Sequence, residues 1–249
     1  MPIPVICVGN ITLGGAGKTP TVIFLIHFFN KNNINAHVVS RGYGGKFKDT
    51  VFVKRETHSA HEVGDEPFLI SQYAKVWVSK KKKDGILAAY KAGAELVVLD
   101  DGHQNFSIAK DINILVFDVE VNFKNEKIFP LGNLRESPQR AIDRADFLIS
   151  IGNSSSNKNL RETVFHNCNQ KIIEGKYEPN IIPKLKKQKL VAFCGIGRPD
   201  KFFSMLRKLN LEIIKEYSFS DHHFYSNRQL TKILDIATKH NALVVTTEK

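Results

Sequence analysis

The sequence has little of what would take it out of the ordinary globular class. Its three cysteines, Cys7, Cys168 and Cys194, are odd in number and far apart. That spacing supports neither a disulfide frame nor a zinc site, and a reducing compartment fits best. No stretch approaches the about 18 uninterrupted apolar residues of a membrane-spanning helix. The opening, Met1-Pro2-Ile3-Pro4-Val5, runs into an apolar segment without the layout of a secretion signal, and no internal repeat is visible. Over 249 residues, 42% hydrophobic and 24% charged content with a mean hydropathy of -0.21 exclude disorder and a membrane-dominated chain. What is in excess is positive charge. Thirty-six Lys and Arg against 25 Asp and Glu give +11, which attracts phosphates, nucleic acid or an anionic bilayer without choosing among them.

Short apolar runs alternate with helical segments along the chain. Val5–Val8, His37–Ser40, Val76–Ser79, Leu96–Asp100, Ile114–Phe117 and Ala145–Ser150 read as strands, and Thr21–Asn30, Glu66–Tyr73 and Asp84–Ala92 as helices. Such alternation predicts an α/β fold with a mostly parallel sheet flanked by helices. Gly152–Asn159 reads as a polar loop and Pro179–Gln188 as a linker. The alternation then restarts with strands at Leu190–Cys194, Glu212–Tyr217 and Ala242–Thr247 and helices at Pro199–Leu209 and Ser226–His240. We therefore expect a nucleotide-binding domain over 1–172 and a second, smaller α/β lobe over 173–249. The chain stops at Glu248-Lys249 directly after a strand, which reads as an incomplete C-terminus.

The segment Thr12-Leu13-Gly14-Gly15-Ala16-Gly17-Lys18-Thr19 lies between the first strand and the first helix. Glycines without Cβ let backbone N–H groups close around phosphate oxygens, and the helix adds its positive N-terminal end. Lys18 is placed to reach the β- and γ-phosphates, and the Thr19 hydroxyl to reach Mg²⁺. This is a P-loop, with Thr12 where the usual pattern has its first glycine. Leu96–Leu99 ends in Asp100-Asp101, an apolar strand delivering two acids, as P-loop proteins do for magnesium. Strand neighbours face opposite ways, so the sequence leaves open which acid is nearer the ion.

Gly64-Asp65-Glu66-Pro67 precedes a helix, so its acids are either an N-terminal cap or a general base for an acceptor hydroxyl. Ser40-Arg41-Gly42-Tyr43-Gly44-Gly45 and Leu134-Arg135-Glu136 are read two ways: groups that stabilise a transferring phosphoryl, or a turn and a surface ion pair. Asp221-His222-His223 is either a surface pair or a proton-handling dyad. Lys80–Lys83 and the run Lys184, Lys186, Lys187 and Lys189 read first as solvated faces and second as contacts to anionic lipid.

Taken in order, Val8-Gly9-Asn10-Ile11-Thr12 running into the glycine arch, the SRGYGG, GDEP and DDG segments with Gln104, the LRE segment and the DHH turn resemble the tetraacyldisaccharide 4'-kinase family of lipid A biosynthesis. The likeness covers nearly the whole chain, and the family's own loop carries the same departure at Thr12. It implies ATP-dependent phosphorylation, with Mg²⁺, of the 4'-hydroxyl of an acylated glucosamine disaccharide 1-phosphate. In this reading Lys18 and Thr19 hold ATP and magnesium, Asp100 and Asp101 flank the metal, and Asp65 pairs with a histidine of the DHH turn, His222 rather than His223. Arg41, Tyr43, Glu66, Gln104, Arg135 and Glu136 line the cleft. The resemblance also implies a peripheral position on the cytoplasmic side of the bacterial inner membrane, against an anionic surface; oligomeric state is not implied.

Two departures stand out. Where the family reads Phe-Gln-His after DDG, this chain has His103-Gln104-Asn105, which leaves open any role for a histidine after Gln104. The apolar helix that opens the family is missing, so membrane contact falls to surface patches, or the chain is a fragment. The competing readings are a P-loop kinase of another alcohol acceptor and a nucleotide-dependent switch ATPase. No aromatics interleave the basic runs, which argues against nucleic acid.

Overall fold

In the computed structural model the described residues are all of 1–249 except 122, 124–126, 153–159, 167, 179–184, 186 and 249. Most of the polar loop read at Gly152–Asn159, much of the linker read at Pro179–Gln188, and Lys184 and Lys186 of the second basic run lie outside them. Contacts divide the chain into two compact units, Met1–Tyr177 and Glu178–Lys249.

The first unit runs β1 (Val5–Gly9), α1 (Lys18–Lys31), β2 (Ala36–Ser40), β3 (Val51–Phe52), α2 (Ala60–Val63), α3 (Asp65–Ile70), β4 (Lys75–Val78), α4 (Lys82–Lys91), β5 (Leu96–Asp100), β6 (Ile112–Asp118), α5 (Pro138–Ile142), β7 (Phe147–Ile151) and β8 (Lys171–Gly175). Its strands lie in the order β3-β4-β2-β5-β1-β6-β7-β8. All neighbours are parallel except the β3–β4 edge pair. Alternation within the strands explains the layering. Ile6, Val8, Val38 and Val98 join one buried cluster with Val22, Ile26 and Phe29 of α1. Val5, Cys7, Val39, Val97 and Leu99 join another with Ile86 and Ala89 of α4. A strand with apolar side chains on both faces needs a helix on each, and each buried Ile or Val contributes about 1.5–3 kcal/mol.

The helix after the glycine arch starts at Lys18, ahead of the expected Thr21. Gly17 adopts φ 94° as its N-cap, and Pro20 is accepted in the first turn. The edge strand β8 was not anticipated, because only Ile172 and Gly175 of Lys171–Gly175 are even partly covered. Its pairing with β7 keeps it in the first sheet, so the division falls after Tyr177 and a boundary at 172/173 cuts through β8.

The second unit runs β9 (Lys189–Cys194), α6 (Pro199–Lys208), β10 (Glu212–Ser218), α7 (Asn227–Lys239) and β11 (Ala242–Val245), with the parallel order β10-β9-β11. Leu190, Ala192 and Cys194 pack on Phe202, Phe203 and Leu206 of α6, while Val191 and Phe193 pack on Ile233 and Ala237 of α7. A capping box fixes the start of α7: Ser226 Oγ accepts from Gln229 N, and Gln229 Oε1 accepts from Ser226 N at 2.8 Å. Among the described residues no helix is long and apolar enough to cross a membrane.

Candidate functional site

β1 is the strand between β5 and β6, and the chain leaves its C-terminal end straight into the glycine arch. In open α/β sheets this edge, where connections diverge to either side, is where ligands sit. Ideal Cβ atoms at Gly14 and Gly15 would meet nothing within 4 Å, so the arch is open. Gly17 is the opposite case: a Cβ there would lie 2.6 Å from Ile151 Cδ1 and 2.7 Å from the Tyr177 hydroxyl.

Asn10, fully buried, braces the arch from inside. Its amide donates to Thr12 O at 2.7 Å and Thr12 Oγ1 at 3.0 Å, and its Oδ1 accepts from Lys18 Nζ at 2.9 Å. This gives a physical reason for threonine where the usual pattern has glycine: the Thr12 hydroxyl is an acceptor in the brace. Thr12 also forms an antiparallel bridge with Leu134, Leu13 N donates to Asn133 O at 2.7 Å and Arg135 N to Ile11 O at 2.7 Å. A segment more than a hundred residues away in sequence is thereby strapped to the phosphate loop.

That strap delivers Arg135 to the acids. One Nη of Arg135 donates to both carboxylate oxygens of Asp101, at 2.8 and 2.9 Å, and Lys18 Nζ lies 3.7 Å from the same carboxylate. Burial alone would raise Asp101, but Lys18 and then Arg135 hold it below the usual carboxylate range. Asp100, 4% exposed, accepts from Ser40 Oγ at 2.9 Å. Burial and then the neighbouring Asp101 push its carboxyl up. The two adjacent acids are thus driven apart in acidity, as groups with different tasks require. Gln104 joins the strap to the arch, its amide donating to Asn10 O at 2.9 Å and Glu136 Oε1 at 3.0 Å. Arg144 closes on Glu136 with bonds of 2.7 and 2.8 Å.

The sequence-predicted residues thus gather as follows. Lys18, Asp101, Arg135, Gln104 and Glu136 form one connected network with Thr12, and Asp100 stands beside it at the end of β5. Thr19 is half-buried in the first turn of α1. Arg41 and Tyr43 follow β2 in an exposed turn whose glycines permit backbone packing: a Cβ at Gly42 would lie 2.8 Å from Val63 O, and one at Gly64 2.7 Å from Tyr43 O. That close approach brings the turn to Asp65 and Glu66 at the start of α3. His103 is buried, its Nε2 within 3.1 Å of Ala141 O, with burial lowering its pKa to about 4. It is a packing residue between the end of β5 and α5.

In the second unit the DHH turn lies against Gly195 and Gly197. His222 has φ 58° and its Nε2 is 3.7 Å from Asp221 Oδ2. His223 is stacked on Phe219 at 4.7 Å, with Nε2 3.2 Å from Gln229 Oε1.

Lys82 corrects the reading of Lys80–Lys83 as a solvated face. Lys80, Lys81 and Lys83 are exposed, but Lys82 is 5% exposed and its ammonium donates to the carbonyl of Asp100 and, at 2.7 Å, to that of Asp101. Burial pushes its pKa down, against the pull of Asp100 and Asp101. Lys82 carried no sequence signal of its own, since the exposed Lys83 shares the same first turn. Asn10, Ser40 and Arg144 carried no local signal.

Among the described residues no group of three His, Cys, Asp or Glu is gathered for a metal. Mg²⁺ usually keeps several waters and takes one or two carboxylates together with substrate phosphates. Two acids at a strand end beside an open phosphate arch and a threonine hydroxyl fit an ion that arrives with a nucleotide.

The family model described as LpxK: Tetraacyldisaccharide-1-P 4'-kinase matches residues 1–249. A tetraacyldisaccharide 4'-kinase of Rhodospirillum rubrum is 41% identical over 248 residues, 99% of this chain and 75% of that protein. One of Rhodospirillum centenum is 38% identical over 252 residues, covering 100% of this chain and 73% of the relative. Among solved structures, the "apo" form LpxK from Aquifex aeolicus in complex with ATP superposes with a TM-score of 0.74 at 28% identity, covering 100% of this chain and 78% of that one. On this sequence and fold evidence, the chain belongs to the tetraacyldisaccharide-1-P 4'-kinase family.

Proposed function

We propose that this chain transfers the γ-phosphoryl group of ATP to the 4'-hydroxyl of a tetraacyldisaccharide 1-phosphate, the 4'-phosphorylation step of lipid A biosynthesis. The observation that carries the reading is the joining of an open glycine arch, Lys18, Asp101 and Arg135 in one network at the end of the central strands.

Lys18 and the arch amides bind the triphosphate, and Arg135 adds charge where the transferring phosphoryl becomes more anionic. Thr19, Asp100 and Asp101 would hold Mg²⁺, which would supply positive charge to offset that of the triphosphate. Asp65 is the base: as the sugar oxygen forms its bond to γ-phosphorus and the bond to the ADP oxygen breaks, the hydroxyl proton goes to the Asp65 carboxylate. Support comes from the glycine packing that sets Asp65 and Glu66 against the Arg41–Tyr43 turn, which continues from Ser40 beside Asp100. His222, whose Nε2 lies 3.7 Å from Asp221 Oδ2, is the second proton-handling residue in this reading, rather than His223. The chain works peripherally at the cytoplasmic face of the inner membrane, where its acylated acceptor resides, and the +11 charge supports contact with an anionic surface.

The test is incubation of the protein with labelled ATP, Mg²⁺ and the acylated disaccharide 1-phosphate, scored for labelled lipid. Lys18→Ala should abolish product. Asp65→Ala should lower turnover at least a hundredfold with ATP binding retained, and His222→Ala should lower kcat more than ATP affinity. Absence of labelled lipid from the wild-type protein, or a wild-type rate for Lys18→Ala, would overturn the reading.

A further inference from the structure

Beside the strap lies a hollow of about 580 Å³, of whose lining the phosphoryl-transfer steps use only Arg135. Arg135, Arg140 and Arg144 face it, with Glu136 as the only carboxylate in its wall among the described residues, and Phe106 and Ile128 complete one side. Arg135 is bonded to Asp101 and Arg144 to Glu136, which leaves the Arg140 guanidinium as surplus positive charge at the rim. The adjoining surface is unusually apolar for exposed chain: Ile128 is 48%, Phe129 64%, Leu131 80% and Phe106 73% exposed. An exposed apolar patch of this kind marks an interaction surface.

The patch is held in place. Phe129 N donates to Leu134 O at 2.8 Å, Leu134 N to Lys127 O at 3.0 Å and Leu131 N to Ile128 O at 3.0 Å, and Leu134 itself bridges Thr12 of the phosphate arch. A guanidinium cluster suits a phosphate, which it binds through paired, charge-assisted hydrogen bonds. Exposed Phe, Leu and Ile side chains suit hydrocarbon. A ligand that satisfies both at once is an amphiphile with an anionic head and acyl chains.

We propose that this hollow is the acceptor's second anchoring point: Arg140, with Arg144, binds the 1-phosphate of the acylated disaccharide, and Phe129 and Leu131 cover one of its acyl chains. The inference rests on the proposed kinase activity and names the surface that recognises its substrate. Arg140 is suited to the test because its main-chain N–H, not its side chain, bonds to Ser137 at the start of α5, and its main-chain carbonyl accepts from Arg144. Substitution by alanine therefore leaves the local backbone bonds in place.

Steady-state kinetics with the full chain and two detergent-solubilised acceptors, with and without the 1-phosphate, test the proposal. Arg140→Ala should raise KM for the phosphorylated acceptor about tenfold, the value of one charge-assisted hydrogen bond, with kcat and the KM for ATP unchanged. The acceptor lacking the 1-phosphate should show no difference between wild type and variant. Phe129→Ser combined with Leu131→Ser should raise KM for the tetraacyl acceptor at least fivefold and leave that for a short-chain analogue unchanged. Equal effects on both acceptors, or none, would overturn the assignment. So would an effect seen only as weaker binding to phosphatidylglycerol vesicles with normal turnover, which would mark a general membrane contact. A wild-type chain that binds ATP but phosphorylates neither acceptor sinks the kinase reading together with this one, whereas an active wild type with an unaffected Arg140→Ala sinks only the anchor.

Discussion

Lys82→Met removes an ammonium while keeping most of the aliphatic stem, and so isolates the bonds that Lys82 makes to the Asp100 and Asp101 carbonyls. Each of the two acceptors left buried without its donor costs about 1–3 kcal/mol, and relief of the buried charge offsets part of that, so the net loss of stability should be about 1–4 kcal/mol. For a chain of this size that lowers Tm by roughly 2–16 °C. The functional effect follows from Asp101, whose φ of 54° lies in the left-handed region that a side chain disfavours. Two groups hold it there, Lys82 through its carbonyl and Arg135 through its carboxylate. Without Lys82 the turn relaxes and the acids proposed to hold Mg²⁺ lose their registration with Lys18. Well below the variant's Tm, the Mg²⁺ concentration for half-maximal rate should rise about tenfold, equivalent to one lost hydrogen bond to a charged group. Binding of ATP measured without metal should stay within about twofold, since the arch and Lys18 are untouched. Thermal melts and Mg²⁺ titrations of initial rate decide the matter. A wild-type Tm would refute the energetic argument, and a lowered Tm with unchanged Mg²⁺ dependence would reduce Lys82 to a structural residue.

Three further outcomes are expected. Arg135→Ala removes one of the three cations that hold Asp101 down, so the acid limb of the kcat/KM profile should move to higher pH; an unmoved limb would show that Asp101 does not govern it. Gly64→Ala introduces a Cβ 2.7 Å from Tyr43 O at φ 96°, which should cost about 2–4 kcal/mol and displace Asp65; turnover should drop more than tenfold with ATP affinity nearly unchanged, and a wild-type rate would contradict this. His37 is fully buried and accepts from Trp77 Nε1 through Nδ1 at 3.2 Å, and burial, then Lys75, lowers its pKa from 6.5 to about 4. Because the unfolded chain takes up this proton first, the contribution is complete above pH 6.5 and is lost as pH falls toward 4, at most about 3 kcal/mol. Trp77 is the only tryptophan, so its fluorescence in the folded state should titrate near pH 4; a midpoint near 6.5 would refute the burial argument.

How much of this was legible in the residues depends on the range over which each signal acts. The strands β1, β2, β5 and β9 are apolar runs bounded by turns, and their burial on both faces follows from period-two alternation, so the parallel α/β class was readable without coordinates. The arch was readable for the same reason: glycines, Lys18 and Thr19 are consecutive, and their chemistry needs only that a strand precede and a helix follow. Local patterning also located Asp100 and Asp101, because an apolar strand ending in acids is a local statement. The edge strands β3 and β8 were not legible, since an edge strand is defined by the neighbour it finds and by little of its own sequence. Nor were the roles of Lys82, Ser40 and Arg144. Lys82 looks like its exposed neighbours in the lysine run until α4 carries it under the end of β5. Sequence alone determined the fold class, the phosphate loop and the acidic strand end, because short-range periodicity and backbone geometry suffice for them. Only the tertiary structure decided that residues 133–135 bridge back to residues 11–13, that Lys82 grips the acidic turn and that Gly42 and Gly45 pack on 62–64. Those contacts depend on which distant backbone groups come within hydrogen-bond or van der Waals reach, and no local pattern of residue types encodes that.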